Sequence, residues 1–382
     1  MGGGGTIRLA AVGDIALNAG YEDLLLQGRG QEAFAEIAPL FVGTDLVIGN
    51  LEGPLTERPN PSPPWRHCLR GHPAYAPILR AAGFHVLSLA NNHMMDYGWP
   101  GVEETIERLT AVGIRVVGAG KNLEDARRPI KFAVNGVRVA ILAYCSIAVR
   151  NPLYASAHEP GVAPARASYI MEDVLKARKE ADFVVVCLHW GQEIVGYPAP
   201  RFRRLARNTI SAGAGLIIGH HPHVLQGLER FRQGLVAYSL GNFTFADEVW
   251  NGADRNGNSF TMLMRIIEAS RRTAVLKAEV AQEGRVVNHE LLPAYLRADL
   301  RVAPDPRPER FVELKRSCRL LGNPGYALIW SGLMLKSRAR VVKEQLFGNR
   351  GFWRRLSRLR PRHMREALRI LGREWEQFRG AK

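Results

Sequence analysis

The chain has 382 residues, 46% of them hydrophobic and 23% charged, a globular balance that excludes a wholly disordered polypeptide. Its net charge of +16 is uneven: residues 301–382 hold 21 Lys/Arg against 7 Asp/Glu while the first 300 hold 31 against 29, so a near-neutral body carries a basic tail. No run approaches the roughly 18 consecutive apolar residues of a membrane span, and four widely spaced cysteines without a C-x-x-C pair argue against a disulfide framework or a structural zinc site.

The first apolar run, 7–12, ends in Gly13-Asp14. A carboxylate just past a strand's C-terminal end lies where open α/β sheets bind ligands. After a helical pattern at 32–38, a strand at 45–48 runs into Gly49-Asn50-Leu51-Glu52, which sets a second acid at a strand end beside the neutral oxygen of Asn50. A helix at 74–82 leads to a strand at 84–89 and then to Asn91-Asn92-His93, with Asp96 close behind. Asn92 offers a carbonyl oxygen. His93 offers a ring nitrogen or a proton, and Asp96 is placed to orient it through its other nitrogen.

A helix at 102–112, strands at 114–117 and 137–143 and a helix at 170–180 precede the apolar run 183–188, which delivers His189 to its end. The neighbouring Cys187 reads as core, because a nucleophilic thiol needs an exposed, electropositive setting. A helix at 201–212 and a strand at 216–218 then lead to Gly219-His220-His221-Pro222-His223. In an extended segment residues i and i+2 share a face, so His221 and His223 are expected to converge while Pro222 stiffens the link. Strands alternating with helices of about ten residues form the α/β signature.

Five strand ends thus supply Asp14, Glu52, Asn92, His189, His221 and His223. Mixed oxygen and nitrogen donors without thiolate suit one or two divalent ions, Mn, Fe or Zn foremost given the imidazoles. Two ions sharing a carboxylate are a known device for activating water.

Beyond residue 220 the runs 224–231, 235–238, 260–267, 274–280 and 286–291 read as strands joined by Gly- and Asn-rich turns, predicting a second, more antiparallel sheet stacked on the first. Ser239-Leu240-Gly241-Asn242-Phe243 reads as a strand and turn, with contact between Asn242 and the site as the alternative. Pro304, Pro306 and Pro308 suggest a linker. The expected division is a body at 6–295 and a basic, largely helical extension at 296–382, in which Met364, Leu368, Leu371, Trp375 and Phe378 share a helix face. Three roles stand open for that extension: docking on the body, binding an anionic membrane surface or polymer-synthase complex, or binding an anionic polymer. No nucleic-acid motif is present. The N-terminus lacks the basic start of a signal peptide, so the chain is expected in the cytoplasm, at most peripheral to the membrane.

The strings GD at 13–14, GNLEGPLT at 49–56, SLANNHMMDYG at 88–98, HWGQE at 189–193, GHHPHVLQ at 219–226 and YSLGNF at 238–243 resemble the bacterial capsule-synthesis proteins of the CapA type. Those proteins are linked to poly-γ-glutamate capsule formation and belong to the calcineurin-like metallophosphoesterase superfamily. The resemblance covers about residues 6–250. It implies a four-layer α/β/β/α sandwich with metal residues on strand-end loops. It makes Asp14 the first-motif ligand, Glu52 the bridging carboxylate, Asn92 a ligand of the second metal and His93 the acid oriented by Asp96, with His189, His221 and His223 completing the set. Two departures stand out. The broader pattern has Asp-x-His where this chain has Asp14-Ile15-Ala16, and Asp where it has Glu52.

The expected activity is that of a metal-dependent hydrolase of the phosphoesterase type, acting on a phosphoester or anionic polymer in capsule or exopolymer biosynthesis. The alternative is a non-catalytic metal-binding subunit of a polymer synthesis or export complex, which the missing imidazole at Ala16 favours.

Overall fold

Runs such as Phe183–His189 and Leu216–His220 are buried at every position, the mark of central strands covered on both faces. The structure, a computed structural model, describes residues 6–59, 67–148, 153–253 and 259–347. The chain runs β1 (Ile7–Ile15), α1 (Gly20–Leu26), α2 (Glu32–Ala35), β2 (Leu46–Leu51), α3 (Tyr75–Ala81), β3 (Val86–Ser88), α4 (Gly98–Ala111), β4 (Arg115–Val117), β5 (Ala119–Gly120), α5 (Leu123–Ala126) and β6 (Ile130–Val134). It continues through β7 (Val137–Cys145), β8 (Gly161–Val162), α6 (Ala167–Glu180), β9 (Phe183–His189), α7 (Pro200–Ser211), β10 (Leu216–His220), β11 (Leu228–Phe231), β12 (Gly234–Ala237) and β13 (Asn242–Thr244). The later elements are β14 (Glu248–Ala253), β15 (Ser259–Met264), β16 (Arg272–Val280), β17 (Val286–Leu296), β18 (Val302–Pro304), α8 (Val312–Leu321) and α9 (Tyr326–Phe347).

Two large sheets result. One has the order β18-β17-β16-β1-β2-β3-β4, with β13 also pairing β1; the other has the order β11-β12-β10-β9-β7-β6. They pack together through β1 on β10 and β4 on β6 and β7. Period-two burial explains the layering. Val139, Ile141 and Ala143 of β7, Val185 and Cys187 of β9 and Ile218 of β10 share one core with Leu9, Ala11 and Ile48 of the first sheet. The alternate residues Ala140, Leu142, Val184 and Val186 are equally buried, on the face where α6 covers β7 and β9, with α7 over β10 and β12. Each fully buried Val, Leu or Ile side chain contributes about 1.5–3 kcal/mol.

The strands after residue 220 do not gather into one second sheet, contrary to expectation: β14 and β15 pair only with each other, as a separate antiparallel ribbon. β11 and β12 extend the second sheet, whereas β16, β17 and β18 extend the first alongside β1. The reason is edge pairing. β16 lies antiparallel to β1, with Ile7 opposite Val280, and so closes an edge that the parallel strands leave open.

The body also runs past residue 295. β18 pairs β17, α8 packs on β11, and the Ser317 hydroxyl accepts the Gly227 N–H at 3.0 Å. The proline-rich stretch is not a linker: Pro304 ends an edge strand, where proline costs no ladder bond, and Asp305 behind it is buried and held by Arg307 and Arg310. The first compact unit ends at Tyr326 and the second begins at Ala327. The expected helix face at Met364–Phe378 lies outside the described residues. Among the described residues no helix is long and apolar enough to cross a membrane.

Candidate metal centre

Strand register gathers the site. Asp14 sits opposite Asn50 of β2 on one side and Asn242 of β13 on the other. In the second sheet Cys145, His189 and His220 lie side by side on β7, β9 and β10. Two glycines permit this crowding. A Cβ at Gly13 would stand 1.9 Å from the Gly241 carbonyl oxygen, and one at Gly219 would stand 2.0 Å from that of Tyr238. Glycine in the first and last motifs is therefore a packing requirement.

Asp14 is fully buried. Its Oδ1 accepts from Asn50 Nδ2 at 2.9 Å and its Oδ2 from the His221 backbone N–H at 3.0 Å. His223 stands between the two acids, with Nδ1 3.7 Å from Asp14 Oδ2 and Nε2 3.7 Å from Glu52 Oε1. Its Nδ1 is 2.8 Å from Asn242 Oδ1, so the amide oxygen takes the ring proton and leaves Nε2 as a lone-pair donor toward Glu52. His189 Nε2 lies 3.9 Å from Glu52 Oε1 and 2.6 Å from Asn92 Oδ1. The rings of His189 and His221 are 4.9 Å apart.

His221 and His223 do converge, with ring centroids at 5.7 Å, but not through an extended backbone. Their φ angles are +91° and +56°, in the left-handed region. Non-glycine residues there cost on the order of 1–3 kcal/mol each, and such strain is retained where surrounding structure imposes it. The expectation of a shared strand face is corrected accordingly.

The electrostatics fit a cation. Both Glu52 oxygens and His221 Nδ1 are buried without a hydrogen-bond partner. Burial pushes the Glu52 carboxyl well above its usual range, with Asp14, Glu193 and Asp96 adding to the effect. Burial first, then neighbouring imidazoles, holds His189 and His221 well below the usual histidine value, so both are neutral lone-pair donors. An unpartnered buried acid among neutral imidazoles is unfavourable alone and complementary to a divalent ion. Two groups, Glu52 with His221 and His223, and Asp14 with Glu52 and His189, each bring ligand atoms within 4.8 Å of one another. Glu52 belongs to both.

His93 lies at the open side. Its Nδ1 is 2.8 Å from Asp96 Oδ2, and the same oxygen accepts the Leu69 N–H at 2.6 Å. Ala16 is buried and its N–H is bonded to the Thr244 carbonyl, so the broader pattern's imidazole has no counterpart there. Cys187 is buried, and burial pushes its thiol up to about 12, which suits a core residue.

Several contributors were not singled out from sequence. Asn91 donates Nδ2 to the Leu51 carbonyl at 2.7 Å and accepts the His93 N–H at 3.1 Å, tying two motif loops together. His220 reaches across the sheets, its Nε2 3.2 Å from the Val12 carbonyl oxygen. Asn50, read from the sequence as a neutral oxygen ligand, instead donates Nδ2 to Asp14 and accepts Asn91 Nδ2 on its oxygen at 3.3 Å. The repeated Asn in the second and third motifs was the available signal.

Residues 8–247 match the family model described as "Bacterial capsule synthesis protein PGA_cap". The chain belongs to that family. Among its relatives, "PGA biosynthesis protein CapA" of Bacillus subtilis (strain 168) is 38% identical over 241 residues, 63% of this chain and 63% of that protein. "Capsule biosynthesis protein CapA" of Bacillus anthracis is 36% identical over 251 residues, 64% and 61% of the two chains. The match therefore spans less than two thirds of these PGA_cap relatives. Among solved structures, a putative 5'-nucleotidase from Staphylococcus aureus aligns over 81% of this chain and 58% of its own at 15% identity, with a TM-score of 0.44.

Proposed function

We propose that this PGA_cap protein is a metal-dependent hydrolase of the phosphoesterase type, acting on an ester within capsule or exopolymer biosynthesis. The observation that carries the reading is the Glu52 carboxylate, buried without a partner and shared by two ligand groups, a short distance from the His93–Asp96 pair. Asp14, Glu52, Asn92, His189, His221 and His223 would hold one or two divalent ions, Mn, Fe or Zn. When bound, such an ion supplies Lewis-acid polarisation of the ester and lowers the pKa of water.

The chain's own groups do the rest. Asn50 and Asn242 fix the Asp14 and His223 side chains, and Asn91 ties the second and third motif loops together. Asp96 accepts the Nδ1 proton of His93, which orients the ring so that a proton carried on Nε2 can pass to the departing oxygen, leaving the neutral Nδ1–H form. The Leu69 N–H holds Asp96 in turn. The names of the relatives speak of PGA and capsule biosynthesis, which suggests a PGA-type polymer as substrate, and the donor set for divalent ions suggests a phosphoester met during its assembly.

Turnover of bis-p-nitrophenyl phosphate in added Mn tests the reading. His93→Ala should retain its metal and lose roughly 10²–10⁴ in rate. Loss of metal together with rate would make His93 a ligand. A second reading, a non-catalytic subunit of a polymer synthesis or export complex, is favoured by Ala16; it expects bound metal and no turnover by the wild type.

A further inference from the structure

A second imidazole–carboxylate pair stands beside the first. His67 Nε2 is 3.1 Å from Glu248 Oε2, and that oxygen also accepts Asn18 Nδ2 at 2.6 Å. Asn18 Oδ1 in turn accepts the Ala246 N–H at 3.3 Å. On the other side, the backbone two residues after His67 is pinned to Asp96, the carboxylate that orients His93. The His67 ring meets the His93 ring edge-on at 6.1 Å and the Trp250 ring at 5.7 Å. Segments from three distant parts of the chain, β14 among them, therefore hold one imidazole against the candidate acid.

Exposure shows which groups a ligand meets. The Asp14 and Glu52 side chains are 0% exposed, whereas those of His223, His93, His67 and Glu248 are 14%, 16%, 19% and 22% exposed. All four are partly exposed, and His67 with Glu248 adjoins His93. His67 Nδ1 has no partner among the described residues, so the ring presents one unused nitrogen next to His93.

We propose that His67, held by Glu248, is a substrate-binding group of this site that takes an oxyanion, a phosphoryl or carboxylate oxygen, on the leaving-group side of the bond served by His93. The proposal rests on the hydrolase reading for the word substrate; the anion site itself does not. With Nε2 bonded to Glu248, Nδ1 is the ring nitrogen left to meet a ligand, and it donates when it carries a proton. An oxyanion that accepts from an N–H makes a charge-assisted hydrogen bond. The edge-on aromatic contacts keep the ring from turning away.

Calorimetric titration of inorganic phosphate, and in a parallel arm of glutarate, into the full chain with and without added Mn decides the matter. His67→Phe keeps a ring against Trp250 and His93 but carries no nitrogen, and His67→Lys restores an N–H donor. Anion affinity of His67→Phe should fall about tenfold, the scale of one charged hydrogen bond, with bound metal unchanged. His67→Lys should return it to near the wild-type value. A larger loss for phosphate assigns a phosphoryl group, and a larger loss for glutarate a carboxylate. Equal affinities in wild type and His67→Phe, or no binding of either anion by the wild type, overturn the proposal. Where the Phe variant fails to fold, His67→Ala gives the same comparison. A wild type that holds no metal defeats the hydrolase reading, and the titration without Mn still judges the anion site by itself.

Discussion

Glu52 carries opposite costs in the two states of the centre. Without an ion its carboxyl is buried, unpartnered and pushed toward the neutral form; with an ion it is a charged ligand at the junction of two donor groups. Glu52→Gln keeps the shape and removes the charge. The metal-free variant should therefore unfold at the same temperature as wild type or higher, while the rise in Tm that added Mn gives the wild type should vanish. Thermal scans in chelator and in Mn check both halves. An undiminished Mn response would remove Glu52 from the ligand set.

At the scale of elements, the close approach of β10 to the segment after β12 is a tight constraint. Gly219→Ala puts a Cβ 2.0 Å from the Tyr238 carbonyl oxygen, an atom that cannot turn aside. A loss of at least about 2–3 kcal/mol is expected from denaturant melts. A second constraint joins α7, β11 and the end of β12. Burial would raise the Glu229 carboxyl, but bonds from Arg207, Tyr238 and Arg203 outweigh it and hold the group below the usual range. A carboxylate depressed in the folded state contributes stability above its unfolded value of about 4.3, and that contribution is lost as pH falls through the folded value. Glu229→Gln should thus be clearly less stable than wild type at pH 7 and converge on it below about pH 4 in urea melts. The sequence made the site's elements legible because each motif follows an apolar run that is buried on both faces, as at 183–188 and 216–218. Sheet membership was not legible. The runs 274–280 and 286–291 carry the same apolar pattern in either sheet, and only the open edge of β1 decides. The left-handed backbone at His221 and His223 was likewise hidden, since nothing in Gly-His-His-Pro-His distinguishes it from an extended segment. His67 and Glu248 are 181 residues apart, and no local pattern relates them.

For the whole molecule, the compact body ends near Tyr326 rather than near 295. A chain ending at 326 should fold and keep its metal. One ending at 300 lacks β18 and α8, loses the Ser317 bond to Gly227, and should lose thermal stability or aggregate. The basic residues beyond 326 are proposed as an accessory module for an anionic surface or polymer. Sedimentation with anionic vesicles should need them and should weaken steeply with salt, because exposed charges are screened over about 8 Å at physiological strength. Vesicle binding that survives the deletion would assign it to the body.

The central claim is that the strand-end residues form a metal centre. Elemental analysis of protein purified without chelator measures it most directly. One or two equivalents of Mn, Fe or Zn are predicted in the wild type and in His93→Ala, with the content falling sharply in the His221→Ala/His223→Ala double variant while its circular dichroism stays native. A metal-free wild type that takes up none of these ions on dialysis, or a double variant with unchanged content, would contradict it.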